Sequence, residues 1–524
     1  MTMRLPPALP LRTVPIRAVP LHPLLFAAYP VLFLYAENLG EVPAGDVVAP
    51  LGRILIFTAA VLALVTLLFR DPRRAAIPVS AGVAAFFLFG HVADLLAPSG
   101  IGRDVQQLAW LTFIGLSAVL AVRIRDVRRL TAGLDVVGLV LVVFALSSIV
   151  PYNIGATAQA AQARRAVPAA GVPQGGRDIY WLVFDRYGSS RALDLRYGAR
   201  SDLPAWLGER GFLLAPESHA NYVRTSLSMA ATLDMGYLDA ITALMGPEAE
   251  DFGPIHALLQ DHRVGRFLQA RGYRYFHVGS WFGPTREAHI ADVNERWEEG
   301  TDFETNLYQT SAWPLVLADF DVKELPPEDL KHREAALVQF QALDAIRAEP
   351  GPKFVLAHVL LPHDPYVFDE RGRYVPKEVQ KATPVPALFA AQLAYTNARI
   401  REIVQPLLEL PEERRPIIII QADEGPYPEA YERDKVGFDW ERASPDELEI
   451  KFGIINAMYL PGLGQEPLPP KMSAVNTFRL LFARAFGEDL PLLPDRVYAS
   501  RSYERPYDLV EVTDRLPSLR GAGP

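Results

Sequence analysis

"PIIIIQADEGPYP", residues 416–428, decides how the second half of this chain is read. Four consecutive isoleucines carry no polar/apolar alternation. A strand built from them has apolar cover on both faces, as strands of a mostly parallel sheet do. The run then meets Asp423 and Glu424. Adjacent carboxylates repel, so the pair calls for a cation or a solvated rim.

Other segments share this grammar. "DIYWLVFD" (178–185), "YRYFHVGS" (273–280), "KFVLAHVLL" (353–361) and "FGIINAMYLP" (452–461) are short apolar runs. They alternate with helical patterns over 255–270, 332–348, 386–408 and 475–487. Strands separated by helices indicate an α/β fold. Ligands in such folds sit beyond the carboxyl ends of the strands. That rim receives Asp185, Arg186, Tyr187 and Gly188 from the first run and His277 from the second. The third brings His358, followed by Pro362 and His363, and "PIIIIQA" brings Asp423 and Glu424.

The first 150 residues differ. Ala18–Ala36, Ile54–Phe69, Ala75–Ala93, Val105–Val122 and Val136–Val150 contain no Asp, Glu, Lys or Arg. With their flanks, each run is long enough to cross the hydrocarbon at ~1.5 Å per residue, so five transmembrane helices are expected over 1–150. Arginines precede the first run and follow the second and fourth, at Arg70, Arg73, Arg74, Arg123, Arg125, Arg128 and Arg129. The positive-inside rule places the N-terminus in the cytoplasm, and an odd number of spans delivers the rest outside. Residues 151–177, rich in Ala, Gly, Gln and Pro, read as a flexible linker, and 178–524 as an extracytoplasmic domain. The chain has no cysteine, which removes disulfides, thiolate metal sites and a cysteine nucleophile. A net charge of −9 gives no sign of a nucleic-acid partner.

Single residues on the rim have plain alternatives. Asp185 suits an Asx-turn as well as a ligand. Thr225, in "NYVRTSLSMAATLD", precedes an apolar helical run and suits an N-cap. A hydroxyl there also faces free backbone amides, a site for phosphate or sulfate, and a nucleophile so placed would be activated by a metal. His363 is flanked by Pro362 and Pro365, which fix the backbone around it. His277 reads first as a structural strand-end residue.

"FDRYG", "YVRTS", "QADEGP" and "LPHDPY" together resemble motifs of the alkaline phosphatase/sulfatase superfamily, over about Asp178–Asp508. The likeness is to its membrane branch, which includes lipoteichoic acid synthases and phosphoethanolamine transferases. It implies an alkaline phosphatase/sulfatase-like α/β sandwich behind the five-helix membrane domain. It implies Asp185, Thr225, Asp423 and Glu424 as metal ligands and Thr225 as a nucleophile that forms a covalent phosphoryl intermediate. His363 corresponds to a histidine that contacts the transferred group, and His277 to another substrate-side position.

Two departures stand out. There is no C-x-P-S-R sequence and no cysteine to become formylglycine, which disfavours the usual sulfatase chemistry. Where the family has Asp-His-Gly, this chain has Asp423-Glu424-Gly425. An all-oxygen set suits Mn²⁺ or Mg²⁺, with Ca²⁺ or Zn²⁺ as alternatives. The resemblance implies a membrane-anchored phosphotransferase or phosphodiesterase. Its donor would be a membrane lipid or lipid-linked group, its acceptor an envelope glycan or glycolipid. The alternatives are a non-catalytic module of the same fold and a sulfuric ester hydrolase working through unmodified Thr225.

Overall fold

The computed structural model describes residues 20–39, 42, 44–99, 102–163, 176–297, 302–315 and 328–519. The chain divides into two units, residues 1–153 with 300–324, and 154–299 with 325–524.

The first unit is built from helices α1 (His22–Glu37), α2 (Ala44–Phe69), α3 (Pro72–Leu96), α4 (Arg103–Arg123) and the part of α5 (Val127–Ala163) up to Asn153. Among the described residues, α2 to α5 are long and apolar enough to cross a membrane. The fifth expected span is α1, which at 16 residues reaches only ~24 Å and falls short of the ~30 Å hydrocarbon. The isolated Asp135 on α5 accepts hydrogen bonds from the backbone N–H groups of Leu21 (2.8 Å) and His22 (2.7 Å), holding the start of α1. Helix α5 runs on to Ala163, so the expected linker begins as helix, and 164–175 lie outside the described residues. A helix inserted far downstream, Asp302–Gln309, belongs to this unit rather than to the second. Its Phe303 and Leu307 pack with Val31, Tyr35, Val47, Phe87, Ala145 and Ile149, and Glu304 pairs with Arg53.

The second unit is built on a seven-stranded sheet. Its strands are β1 (Ile179–Phe184), β2 (Leu213–Leu214), β3 (Arg274–Val278), β4 (Val293–Glu295), β5 (Lys353–Val359), β6 (Ile417–Gln421) and β7 (Asn456–Tyr459), in the order β2-β7-β6-β1-β5-β3-β4. Strands β6, β1, β5, β3 and β4 are parallel, and β7 runs antiparallel to β6. Its main helices are α6 (Thr225–Asp234), α7 (Gly253–Gln260), α8 (Arg263–Gln269), α9 (Glu328–Arg347), α10 (Val385–Leu408), α11 (Pro445–Phe452) and α12 (Thr477–Phe486). The helical pattern over 255–270 is therefore two helices. They break at His262, whose Nδ1 accepts from Gly265 N–H and caps α8.

The isoleucine run is apolar throughout because each face has its own core. Ile417 and Ile419 join Trp181, Val183, Leu227, Leu268 and Phe478 beneath α6, α7, α8 and α12. Ile418 and Ile420 join Leu182, Phe340, Ile400 and Leu448 beneath α9, α10 and α11. Successive side chains of a strand point to opposite faces, so a strand covered twice has no polar position along its length.

Candidate metal centre

The same alternation governs the residues just past each strand end. Phe354, Leu356 and His358 share one face of β5 with Val183 of β1, which pairs with His358 in register. Two residues beyond Val183 on that face is Asp185, whose N–H still donates to Val359 O (3.0 Å). Carried two residues past Gln421, the pattern of β6 gives Asp423. Asp185, His358 and Asp423 each offer one ligand atom, and these atoms lie within 4.8 Å of one another, all buried. His358 Nε2 is 3.7 Å from Asp185 Oδ2. His358 stood on the rim in the sequence but outside the expected ligand set, and its place on the Asp185 face of the sheet is the signal that could have found it.

Glu424 is not part of this group. It falls on the register of Ile418, Ile420 and Ala422, the face covered by α11, and meets Lys451 Nζ at 2.7 Å. Arg186 Nε lies 3.5 Å away. Lys451 and Glu424 are both buried, and nothing in "LEIKFG" marks Lys451 as an internal charge. Arg186 adopts a left-handed backbone (φ 58°), which costs a non-glycine residue about 1 kcal/mol. That turn lays its guanidinium 3.5 Å above the Tyr427 ring and brings it to 2.5 Å from Asp364. Arg186 and Lys451 thus lie closest to Asp364 and Glu424, while Arg186 Nε reaches Asp185 only at 4.0 Å.

Thr225 is the first residue of α6, and the N-cap position belongs to Arg224. Its hydroxyl lies near enough to Asp423 to hold that carboxyl down without a well-formed hydrogen bond, and Ser228 Oγ donates to Asp423 O at 2.6 Å, joining the helix start to the strand end. His363 follows the β5 end and lies on the Arg186 side, its Nδ1 against Asp364 O and its ring 6.0 Å from that of Trp281. His277 is buried, with both ring nitrogens occupied. Nδ1 accepts from Tyr275 OH (3.1 Å), and Nε2–H donates to Thr285 O (2.9 Å).

The electrostatics follow from burial. Burial first, then the charge of Asp423, pushes the Asp185 carboxyl well above the usual carboxylate range. Burial raises Asp423 too, opposed by the Thr225 hydroxyl and by Lys451. Glu424 is raised by burial, with Lys451 opposing. Burial lowers the Lys451 ammonium to about 8, while Glu424 holds it up. It lowers His358 to about 3 and His277 to about 4, and burial together with Arg186 lowers His363 to about 3. These imidazoles are neutral at pH 7, the state in which a ring nitrogen can ligate a metal.

The residues fit a divalent cation. Asp185 Oδ1, both Asp423 carboxylate oxygens and His358 Nε2 are buried without a well-formed hydrogen bond. Buried polar atoms are rarely left so, and ligand atoms from three residues within 4.8 Å of one another are what an ion would satisfy. The imidazole changes the expected all-oxygen set to a mixed one, within the range of Zn²⁺ as well as Mn²⁺.

No family model matches the chain, and no curated protein matches it. Solved structures do. The C-terminal periplasmic domain of EcEptC from Escherichia coli, in complex with Zn, aligns at 12% identity and TM-score 0.39, covering 66% of this chain and 94% of that one. The integral membrane lipooligosaccharide phosphoethanolamine transferase A from Neisseria meningitidis aligns at 13% identity and TM-score 0.39, covering 89% and 94%. The structures it resembles are phosphoethanolamine transferases and sulfatases. A phosphonate monoester hydrolase of Agrobacterium radiobacter aligns at 10% identity and TM-score 0.39, covering 62% and 80%. Likenesses this distant decide nothing about chemistry.

Proposed function

We propose that this chain is a membrane-anchored, metal-dependent phosphotransferase or phosphodiesterase acting on lipid-linked or envelope phosphodiesters, with Thr225 as nucleophile. The observation that supports it most is the Thr225 hydroxyl, at the first residue of a helix, beside a carboxylate of the Asp185–His358–Asp423 group. Asp185, His358 and Asp423 would hold the ion. When bound, it would lower the pKa of the threonine hydroxyl and offset charge on the phosphoryl oxygens.

The remaining roles fall to the chain. The N–H groups of the first turn of α6 have no intrahelical acceptor and face an incoming phosphate. Thr225 Oγ takes the phosphoryl group as the bond to the donor's alcohol breaks, and that alcohol leaves with the threonine proton. An acceptor hydroxyl or water then displaces Thr225, which regains a proton. Arg186, Asp364 and His363 flank the other side of the site, where a substrate headgroup would lie. The membrane-capable helices would keep the site close to lipid headgroups, with the arginines that follow α2 and α4 cytoplasmic and the second unit outside.

The purified full-length chain supplied with Mn²⁺ or Zn²⁺ should cleave or transfer from a phosphodiester. Thr225→Ala should lower that activity by roughly 10³-fold or more. Equal activity in the variant would remove Thr225 as nucleophile. One observation favours a second reading, a non-catalytic module. Glu424 stands where the resembled superfamily has a histidine and pairs with Lys451, an arrangement that a lost metal position would show. Failure of the wild-type chain to bind metal would favour it.

A further inference from the structure

A chain of buried polar side chains leads away from His358. His358 Nδ1 is 2.7 Å from Thr285 Oγ1, and that hydroxyl is 2.8 Å from Ser280 Oγ. Thr285 closes a single 3₁₀ turn, Gly283–Thr285, and its carbonyl accepts from His277 Nε2–H. His277 is held in turn by Tyr275 OH, and Tyr275 OH by His262 Nε2 at 3.1 Å. His262 Nδ1 accepts from Gly265 N–H, which leaves its proton on Nε2 to donate to Tyr275. Thr285, His277 and His358 are 2%, 3% and 0% exposed, so water does not compete for these bonds.

We propose that Thr285 is a positioning residue that orients His358 toward the metal centre. This rests on Asp185, His358 and Asp423 holding an ion. With an ion on Nε2, the His358 proton must sit on Nδ1, and Thr285 Oγ1 then accepts it. The Thr285 hydroxyl donates onward to Ser280 Oγ, and Ser280 in turn can donate to Phe282 O (3.4 Å). Every donor then has an acceptor, and the imidazole is fixed in both tautomer and ring plane. Partners that hold the far nitrogen of a metal-bound histidine typically matter by 10–100-fold in affinity. Thr285 touches neither the ion nor a substrate, so its effect passes through His358 alone. The same chain gives His277 a place beneath the site, because its Nε2–H holds the turn that carries Thr285.

The test is the affinity of the full-length chain for Zn²⁺ and Mn²⁺, measured by competition with a chelator and without reference to activity. Thr285→Val should weaken binding about 10–100-fold. Thr285→Ser should keep it within about threefold, because the hydroxyl is restored. Melting of the metal-free variants checks folding, and Thr285→Ala replaces the valine variant should that one not fold. Unchanged affinity in the valine or alanine variant overturns the proposal, as does a serine variant that binds as weakly as valine. A wild-type chain that binds neither metal overturns the metal-centre reading itself.

Discussion

Asp423 and Glu424 are neighbours in sequence and part company in space. Asp423 joins Asp185 and His358 on one face of the sheet, while Glu424 turns to Lys451 on the other. Lys451 supplies positive charge to Glu424 directly, and the proposed ion on Asp185, His358 and Asp423 would supply it to Asp423. Glu424→Gln should therefore leave metal affinity within a few-fold but cost about 3–5 kcal/mol in unfolding free energy, because Lys451 loses its buried partner. The double variant Glu424→Gln, Lys451→Met should recover much of that loss, as denaturant melts would show. A drop in metal affinity as large as that of Asp423→Asn would make Glu424 a ligand after all. The raised carboxyls of Asp185 and Asp423 give a second test. A metal binds their ionised forms, so binding expels protons and affinity falls as pH falls through the raised values. His358, lowered to about 3, is already neutral and adds no proton. Calorimetry at successively lower pH in buffers of differing ionisation enthalpy should show proton release on binding that grows as pH falls toward the raised values, and a release that stays flat would contradict the raised carboxyls. At this scale the sequence placed Asp185 and Asp423 just past strand ends and Thr225 at a helix start, positions that Asx-turn and capping roles also suit. His358 was visible on the rim but uncounted, and Lys451 was invisible because a helical lysine carries no mark of burial.

The elements were easier to read. Every strand inferred from an apolar run is present, because continuous apolar sequence bounded by turn residues reports two-sided burial directly. The helix expected at 255–270 is split because His262 caps α8 with its ring, a role the apolar periodicity does not encode. The β6 end depends on a close approach that only glycine allows. A Cβ at Gly425 would lie 2.3 Å from Ile450 O and 2.8 Å from Lys451 O, both backbone, and Gly425 N–H donates to Lys451 O. Gly425→Ala should push the end of α11 away from the strand and disturb the Lys451–Glu424 pair. The expected outcome is a loss of about 2–4 kcal/mol in a denaturant melt, and a change below about 0.5 kcal/mol would show that the segment yields freely.

Across the whole chain, hydropathy located the apolar helices but not their count of membrane-capable members, because α1 is only 16 residues long. It also could not place the helix Asp302–Gln309 with the first unit, since that assignment comes from packing between residues far apart in sequence. The proposed orientation is open to a clean test, because a chain without cysteine accepts single cysteines as unique labels. Glu370→Cys should react with a membrane-impermeant maleimide in intact cells, and Arg125→Cys only after permeabilisation. The reverse pattern would invert the topology. The central claim is that Asp185, His358 and Asp423 together hold one divalent cation beside Thr225. Anomalous diffraction from crystals of the chain soaked in Mn²⁺ or Zn²⁺ tests it most directly. A single peak bonded to Asp185, Asp423 and His358 Nε2 is expected, with Glu424 still on Lys451. A peak bonded to Glu424, or no peak in this group at saturating metal, would contradict it.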